Sequence, residues 1–149
     1  MTEDTQIIDD DRPTAYYSVG QIGAASLLGG VIAGLWLLAS NYRLFGEDGK
    51  AGRTWLTAWG GTIVMMIIVF LLPKNSMPVA MPAIIGACIH GYAKREQGAQ
   101  IDAAKAKGIP QKSNWVVLAI TVAGIAAVLV TAFIAVFIFN MLAPAHLEK

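Results

Sequence analysis

The sequence predicts an all-α integral membrane protein, a bundle of four transmembrane helices. Three observations predict this class: 56% of the residues are hydrophobic, only 14% are charged, and four apolar stretches alternate with short polar ones. Soluble domains carry about 25% charged residues, so a soluble core of this composition would be unusual. The 149 residues are enough for one domain. We assign that domain to residues 16–142, between an acidic tail at 1–15 and a polar tail at 143–149.

The bundle is expected to be organised around its first apolar stretch, residues 17–41, which contains no charged residue. A transmembrane helix needs about 20 apolar residues. Ser26, Gly30 and Gly34 recur at steps of four, which predicts a smooth strip where another helix can approach closely. Gly30 and Gly34 also form a GxxxG pair. Packing within the chain is the favoured role of that pair, and homodimerisation is the alternative.

The second apolar stretch, residues 55–72, follows a short charged loop. Glycines in that loop predict a turn rather than a helix, and they are Gly46, Gly49 and Gly52. The first half of the stretch is rich in small residues, among them Gly61, and is expected to face the first helix closely.

The third apolar stretch, residues 77–92, is the shortest of the four. Residues 93–107 follow it and are rich in Ala, Lys, Glu and Gln, which are good helix formers. We therefore expect the third helix to leave the membrane and extend into the cytoplasm, frayed or bent at Gly98. Gly108 and Pro110 supply its stop signal.

The fourth stretch, residues 115–142, would be about 42 Å long as a continuous helix. That length exceeds the roughly 30 Å hydrocarbon core, so the helix should tilt or protrude. Ser113 or Asn114 is the expected N-cap. Ala123 and Ala127 begin a second row of small residues, which predicts another packing face.

The placement of the basic residues predicts the orientation. With four crossings, the loops at 43–54 and 93–114 share one side and hold eight of the eleven Lys and Arg residues. Because cytoplasmic loops carry the excess of Lys and Arg, these loops are expected in the cytoplasm and both termini outside it. The expected location is a bacterial inner membrane.

Residue types and motifs that are missing from the apolar stretches argue against several classes of function. They contain no Asp, Glu, Lys or Arg, which argues against an ion-coupled transporter, because such proteins place a charged group at mid-membrane. No nucleophile, phosphate-binding or metalloprotease motif is present. Cys88 is the only cysteine, so an internal disulfide and a cysteine-pair metal site are excluded. We expect no cofactor, and without a basic stripe we expect no nucleic-acid partner.

The polar candidates are few. Gln21 is expected to hydrogen-bond a neighbouring helix rather than a substrate, and Asn41 to end the first helix. His90 has a structural hydrogen bond as its favoured role, with a pH gate or metal ligand as the alternative. The acidic run in the N-terminal tail is either solvated or a docking patch for a basic partner, and it consists of Asp9, Asp10 and Asp11.

Because the sequence lacks catalytic motifs and charged residues in its apolar stretches, it favours a non-enzymatic membrane protein that binds a protein partner. Such a protein could be an immunity protein, an accessory subunit or an assembly factor. In size and number of spans the chain is similar to the small multi-spanning immunity proteins that protect bacteria from pore-forming toxins. This similarity is one of architecture and rests on no motif. The alternative is an oligomeric channel or passive transporter formed around Thr62, Thr121 and Thr131. A membrane enzyme is the least supported class.

Overall fold

The computed structural model describes residues 14–71 and 81–142, and within these ranges it contains four helices and no strand. The helices are α1 (Val19–Leu44), α2 (Asp48–Leu71), α3 (Met81–Ala106) and α4 (Asn114–Leu142). α1 is central, because each of the other three packs against it while they have little contact with one another. The predicted all-α class is confirmed for the described residues.

α1 reverses its direction at Gly30. The backbone there has φ +71° and ψ −167°, which lies outside the helical region. Ser26 consequently contacts Gly34, and the Asn41 side chain hydrogen-bonds the backbone of Tyr17. In a straight helix residues 17 and 41 would lie about 36 Å apart. Residues 19–29 and 31–44 are therefore the first and second arms of an antiparallel helical hairpin, whose tip is Gly30 and whose base is the opposite end.

The hairpin changes how the first apolar stretch can meet a membrane. By length and composition, α1 and the Asn114–Ile138 part of α4 are the two helices among the described residues that are apolar and long enough to cross a membrane. α1 reaches that length only when both arms are added. The arms measure about 16 and 21 Å, less than the roughly 30 Å hydrocarbon core. The four-span bundle is therefore not confirmed, because only two of the described helices qualify and α1 qualifies only as the sum of its two arms.

α2 begins earlier than predicted. The expectation of a non-helical turn is wrong for Gly49 and Gly52, which lie inside α2, and correct only for Gly46, whose φ is +77°. The backbone carbonyl of Glu47 accepts hydrogen bonds from the N–H groups of Lys50 and Ala51, which starts the helix. Ala51 is almost fully buried, so packing against the core overrides the low helix propensity of the two glycines.

α3 continues well past residue 92 and runs through Gly98 without a break. It ends at Ala106, and Gly108 follows with φ +75°, in agreement with the predicted stop signal. The extension does not project freely, because a stripe at helical spacing is buried against the hairpin base. The stripe consists of Ala93, Gln97, Ile101 and Ala104.

α4 begins after Ser113, whose backbone carbonyl accepts hydrogen bonds from the N–H groups of Val116 and Val117. Its buried face contains Val117, Thr121 and Gly124. Val128 lies beside the hairpin tip, and the helix continues beyond it with large apolar side chains exposed, as expected for contact with lipid.

Charge is confined to the base end of the bundle. The described residues include eight Lys and Arg, and all of them lie in segments 43–53 and 94–112 around the base: Arg43, Lys50, Arg53, Lys94, Arg95, Lys105, Lys107 and Lys112. Ile22, Leu37 and Leu38 are fully buried near the base, and the polar side chains of Gln21, Asn41 and Gln97 are buried there with them.

Candidate functional site

Two buried amides hold the hairpin base together. Asn41 Oδ1 accepts from the Tyr17 N–H at 2.8 Å, and Asn41 Nδ2 donates to the Tyr17 carbonyl at 2.8 Å and to Gln97 Oε1 at 3.1 Å. Gln97 Nε2 donates to the Leu38 carbonyl at 3.0 Å. Asn41 and Gln97 are at most 1% exposed. Asn41 therefore does not end the helix as predicted, but ties the start of α1 to its second arm and to α3.

Gln21 performs a similar role beside this pair. It forms a capping box with Ser18, in which each side chain bonds the other residue's backbone N–H. Its Nε2 also donates to the Lys112 carbonyl at 2.9 Å and to Asn114 Oδ1 at 2.8 Å. The expected bond to a neighbouring helix is thus present, and it secures the start of α4.

The start of the described chain lies against the α3–α4 connection. The Tyr16 N–H donates to the Pro110 carbonyl at 3.1 Å, and the Lys112 N–H donates to the Tyr16 carbonyl at 2.8 Å. The attachment point of the N-terminal tail therefore lies at the same end of the molecule as residues 93–114. The expectation that the two are on opposite sides of a membrane assumed a straight α1 and is not supported. Asp9, Asp10 and Asp11 themselves lie outside the described residues.

The predicted row of small residues in α1 acts within the hairpin. Gly34 packs against Ser26, whose Cβ lies 2.8 Å from the position that a Cβ on Gly34 would occupy. Gly30 makes the reversal and has room beside it, with the nearest atom of Val128 at 3.9 Å from such a Cβ. A Cβ on Gly61 of α2 would lie 3.6 Å from Val31 Cγ1 of the second arm.

α3 and α4 each approach the hairpin closely at a glycine that the sequence analysis missed. A Cβ on Gly124 would lie 2.8 Å from Ala33 Cβ, and a Cβ on Gly86 would lie 3.1 Å from Leu27 Cβ. The predicted row on α4 is displaced from this contact, since Ala123 is exposed and Ala127 only half-buried. The available signal was a spacing that follows one helical face, formed by Val117, Thr121, Gly124 and Val128.

The hydroxyl groups proposed to line a channel are bonded within their own helices. Each donates to the carbonyl four residues earlier at 2.8 Å, and these residues are Thr62, Thr121 and Thr131. Ser26 does the same to the Ile22 carbonyl at 2.7 Å. These side chains are thus satisfied locally and do not converge on a shared polar path.

His90 is exposed on α3, and its ring packs over Gly23 of the first arm. His90 Nδ1 lies 2.7 Å from the position of a Cβ on Gly23, so the glycine provides the space for the ring. Among the described residues, no group of three or more His, Cys, Asp or Glu side chains is placed to hold a metal ion.

A groove of about 720 Å³ runs between α2 and α3, with the second arm of α1 as its floor. Its charged end contains Lys50, Arg53 and Glu96. Lys50 Nζ lies 3.0 Å from Glu47 Oε2 and 5.6 Å from the centre of the Tyr42 ring. The hydrogen bond from Lys50 lowers the pKa of Glu47. A smaller cavity of about 260 Å³ lies beside the hairpin tip, between α3 and α4.

The geometry thus offers two surfaces for function, the outer face of the α3 extension and the α2–α3 groove. Comparisons with protein-family models, curated proteins and solved structures find no match for this chain.

Proposed function

We propose that the protein is a non-enzymatic membrane protein that binds a protein partner through the outer face of the α3 extension, residues 93–106. The observation that carries the proposal is that this segment is a fixed helix with one buried and one charged face. Its exposed charged residues are Lys94, Arg95, Glu96, Asp102 and Lys105. A charged surface that is already ordered can select a partner by complementary charge with little further ordering.

The use of the buried polar groups supports a non-enzymatic role. Gln21, Asn41 and Gln97 are consumed by hydrogen bonds that join the helices at the base. The buried hydroxyls bond carbonyls of their own helices. Catalysis needs a nucleophile or base in reach of a reacting atom, and these groups are engaged elsewhere. Immunity to a membrane-acting toxin, an accessory-subunit role and an assembly-factor role are forms of the same proposal.

In the arrangement that we propose, α4 crosses a bacterial inner membrane and the α1 hairpin is a re-entrant element beside it. The eight basic residues at the base support a cytoplasmic location for that end. Non-helical backbone at membrane depth is tolerated where protein covers it, and Gly29 beside the tip is buried against Thr121 of α4. The N-terminal tail would then be cytoplasmic and the C-terminus on the other side.

Site-specific photo-crosslinking in intact cells tests the partner. A photoreactive residue at Lys94 or Asp102 should yield an adduct with one defined protein, whereas the same residue at Leu56, which is 77% exposed on α2, should not. The double variant Arg95→Glu/Lys105→Glu should abolish the adduct by reversing the charge of the face. Absence of a protein adduct, or identical adducts at all three positions, would contradict the proposal.

A channel is the second candidate, and the re-entrant hairpin is the observation that favours it, because channels use such elements to line pores. The locally bonded hydroxyls argue against it. Purified protein in liposomes separates the two functions. Selective ion or solute flux from the protein alone, altered by Thr62→Val or Thr121→Val, would establish the channel and remove the need for a partner.

A further inference from the structure

The groove between α2 and α3 is open along its side, because the two helices pack on α1 rather than on each other. Val31, Leu35 and Leu38 of the second arm form its floor. Its volume of about 720 Å³ lies within the range of about 300–1,000 Å³ that is typical of small-ligand sites.

The groove is apolar at one end and charged at the other. On α2 the lining residues change from Gly61 towards the tip to Arg53 and Lys50 at the base. On α3 they change from Ile84 to Glu96 in the same direction, over about 18 Å of helix. Both walls therefore have their charged groups at the base end. An occupant that fits this gradient has one apolar and one charged end.

We propose that the groove binds a membrane phospholipid, with its phosphate at Lys50 and Arg53 and an acyl chain along the apolar part. Arg and Lys are the side chains that bind phosphate oxygens, Arg by paired hydrogen bonds. Glu96 is the one carboxylate among the described lining residues, against the two cations. Lys50 also pairs with Glu47 outside the lining, at 3.0 Å, so a bound phosphate would share that cation with a carboxylate.

The polarity of the lining favours a lipid, because the charged groups of both walls lie at one end and the rest of the lining is mainly apolar. The open side also lets a lipid enter directly from the bilayer. This inference is independent of the proposed partner at the α3 extension.

Native mass spectrometry of the purified full-length protein tests the charged end. The wild-type protein should retain one phospholipid after delipidation, or regain it when phospholipid is added. Lys50→Ala/Arg53→Ala should lower this occupancy by about tenfold, because both phosphate contacts are lost. The control Arg43→Ala/Lys107→Ala removes two exposed basic residues from outside the groove and should leave occupancy unchanged.

A pair of neighbouring glycines tests the apolar part. Gly61→Leu should fill the groove and reduce occupancy, whereas Gly60→Leu should not, since a Cβ on Gly60 meets nothing within 4 Å. If Gly61→Leu fails to fold, the exposed Lys50 and Arg53 variants still decide the matter.

Competition identifies the ligand chemistry. Diacylglycerol, which lacks the phosphate, and inorganic phosphate, which lacks the chains, should each fail to displace the phospholipid. Equal occupancy in the groove variants and their controls would overturn the proposal. The proposal would also be overturned if the wild-type protein bound no phospholipid, or if it bound diacylglycerol equally well. A second copy or a foreign protein that is bound to the wild-type protein and absent from the groove variants would overturn it as well.

Discussion

Gly30 determines the path of α1, because its φ of +71° and ψ of −167° reverse the chain. This region of backbone space is essentially restricted to glycine, and other residues are strained there by about 1–3 kcal/mol. The cost is conformational rather than steric, since the nearest neighbour of a Cβ is 3.9 Å away.

Gly30→Ala and Gly30→Asn should therefore both lower the free energy of unfolding by about 1–3 kcal/mol. Asn should not rescue the fold, because its tolerance is for the left-handed helical region and not for ψ near 180°. Thermal unfolding in mild detergent measures the effect. Gly60→Ala, on exposed helix, is the control and should stabilise by up to about 1 kcal/mol. A Gly30→Ala protein as stable as wild type would mean that the hairpin does not need a glycine.

The Asn41–Gln97 pair gives a second prediction for single residues. Gln97→Leu removes the acceptor of Asn41 Nδ2 and the donor to the Leu38 carbonyl, both fully buried. Loss of these two hydrogen bonds from the buried base should lower the unfolding free energy by about 1–3 kcal/mol.

The matched control for this prediction is Gln111→Leu, the same substitution at an exposed glutamine of the α3–α4 connection. The Gln111 side chain makes one long hydrogen bond in the described structure, from Nε2 to Ser18 Oγ at 3.5 Å. Its replacement should alter the unfolding free energy by less than about 0.5 kcal/mol. Equal effects of the two substitutions in denaturant unfolding would show that the buried amide has no structural role.

At the scale of whole elements, the sequence predicts apolar stretches better than it predicts their path. Four helices follow from hydrophobicity and length, and the α3 extension from its helix-forming residues. The reversal was missed because Gly30 lies within an uninterrupted apolar run. The adjacent Gly29–Gly30 pair was the local signal, since two successive glycines favour a turn. The Asn41–Gln97 bond joins residues 56 positions apart, and no local pattern records that pairing.

Packing of α3 on the hairpin gives a prediction for two glycines of one helix. A Cβ on Gly86 would lie 3.1–3.3 Å from Leu27, including its backbone, whereas one on Gly91 meets nothing within 4 Å. Gly86→Ala should destabilise by about 1–3 kcal/mol through overpacking, and Gly91→Ala should stabilise by up to about 1 kcal/mol through helix propensity. Stabilisation by both substitutions would indicate that α3 can shift away from the hairpin.

For the molecule as a whole, the hairpin orders only part of the bundle. The arms end at Gly30, while α2 and α4 continue beyond it with exposed apolar side chains. The buried polar bonds at Gln21, Asn41 and Gln97 lie near the base, together with the charged residues. The base is therefore the specific, hydrogen-bonded end of the molecule, and the opposite end is held mainly by apolar contacts.

In the proposed arrangement, the hairpin also sets which parts of the chain share a side of the membrane. In a Cys88→Ala background, single cysteines at Thr14, Gly49 and Lys107 should behave alike, because all three positions lie at the base. A membrane-impermeant thiol reagent should leave them unlabelled in intact cells and label them in inside-out vesicles, as expected for the basic, cytoplasmic end. Labelling of Thr14→Cys but not Gly49→Cys in intact cells would mean that α1 crosses the membrane, and the hairpin would be wrong. Labelling of all three in intact cells would keep the hairpin but reverse its orientation.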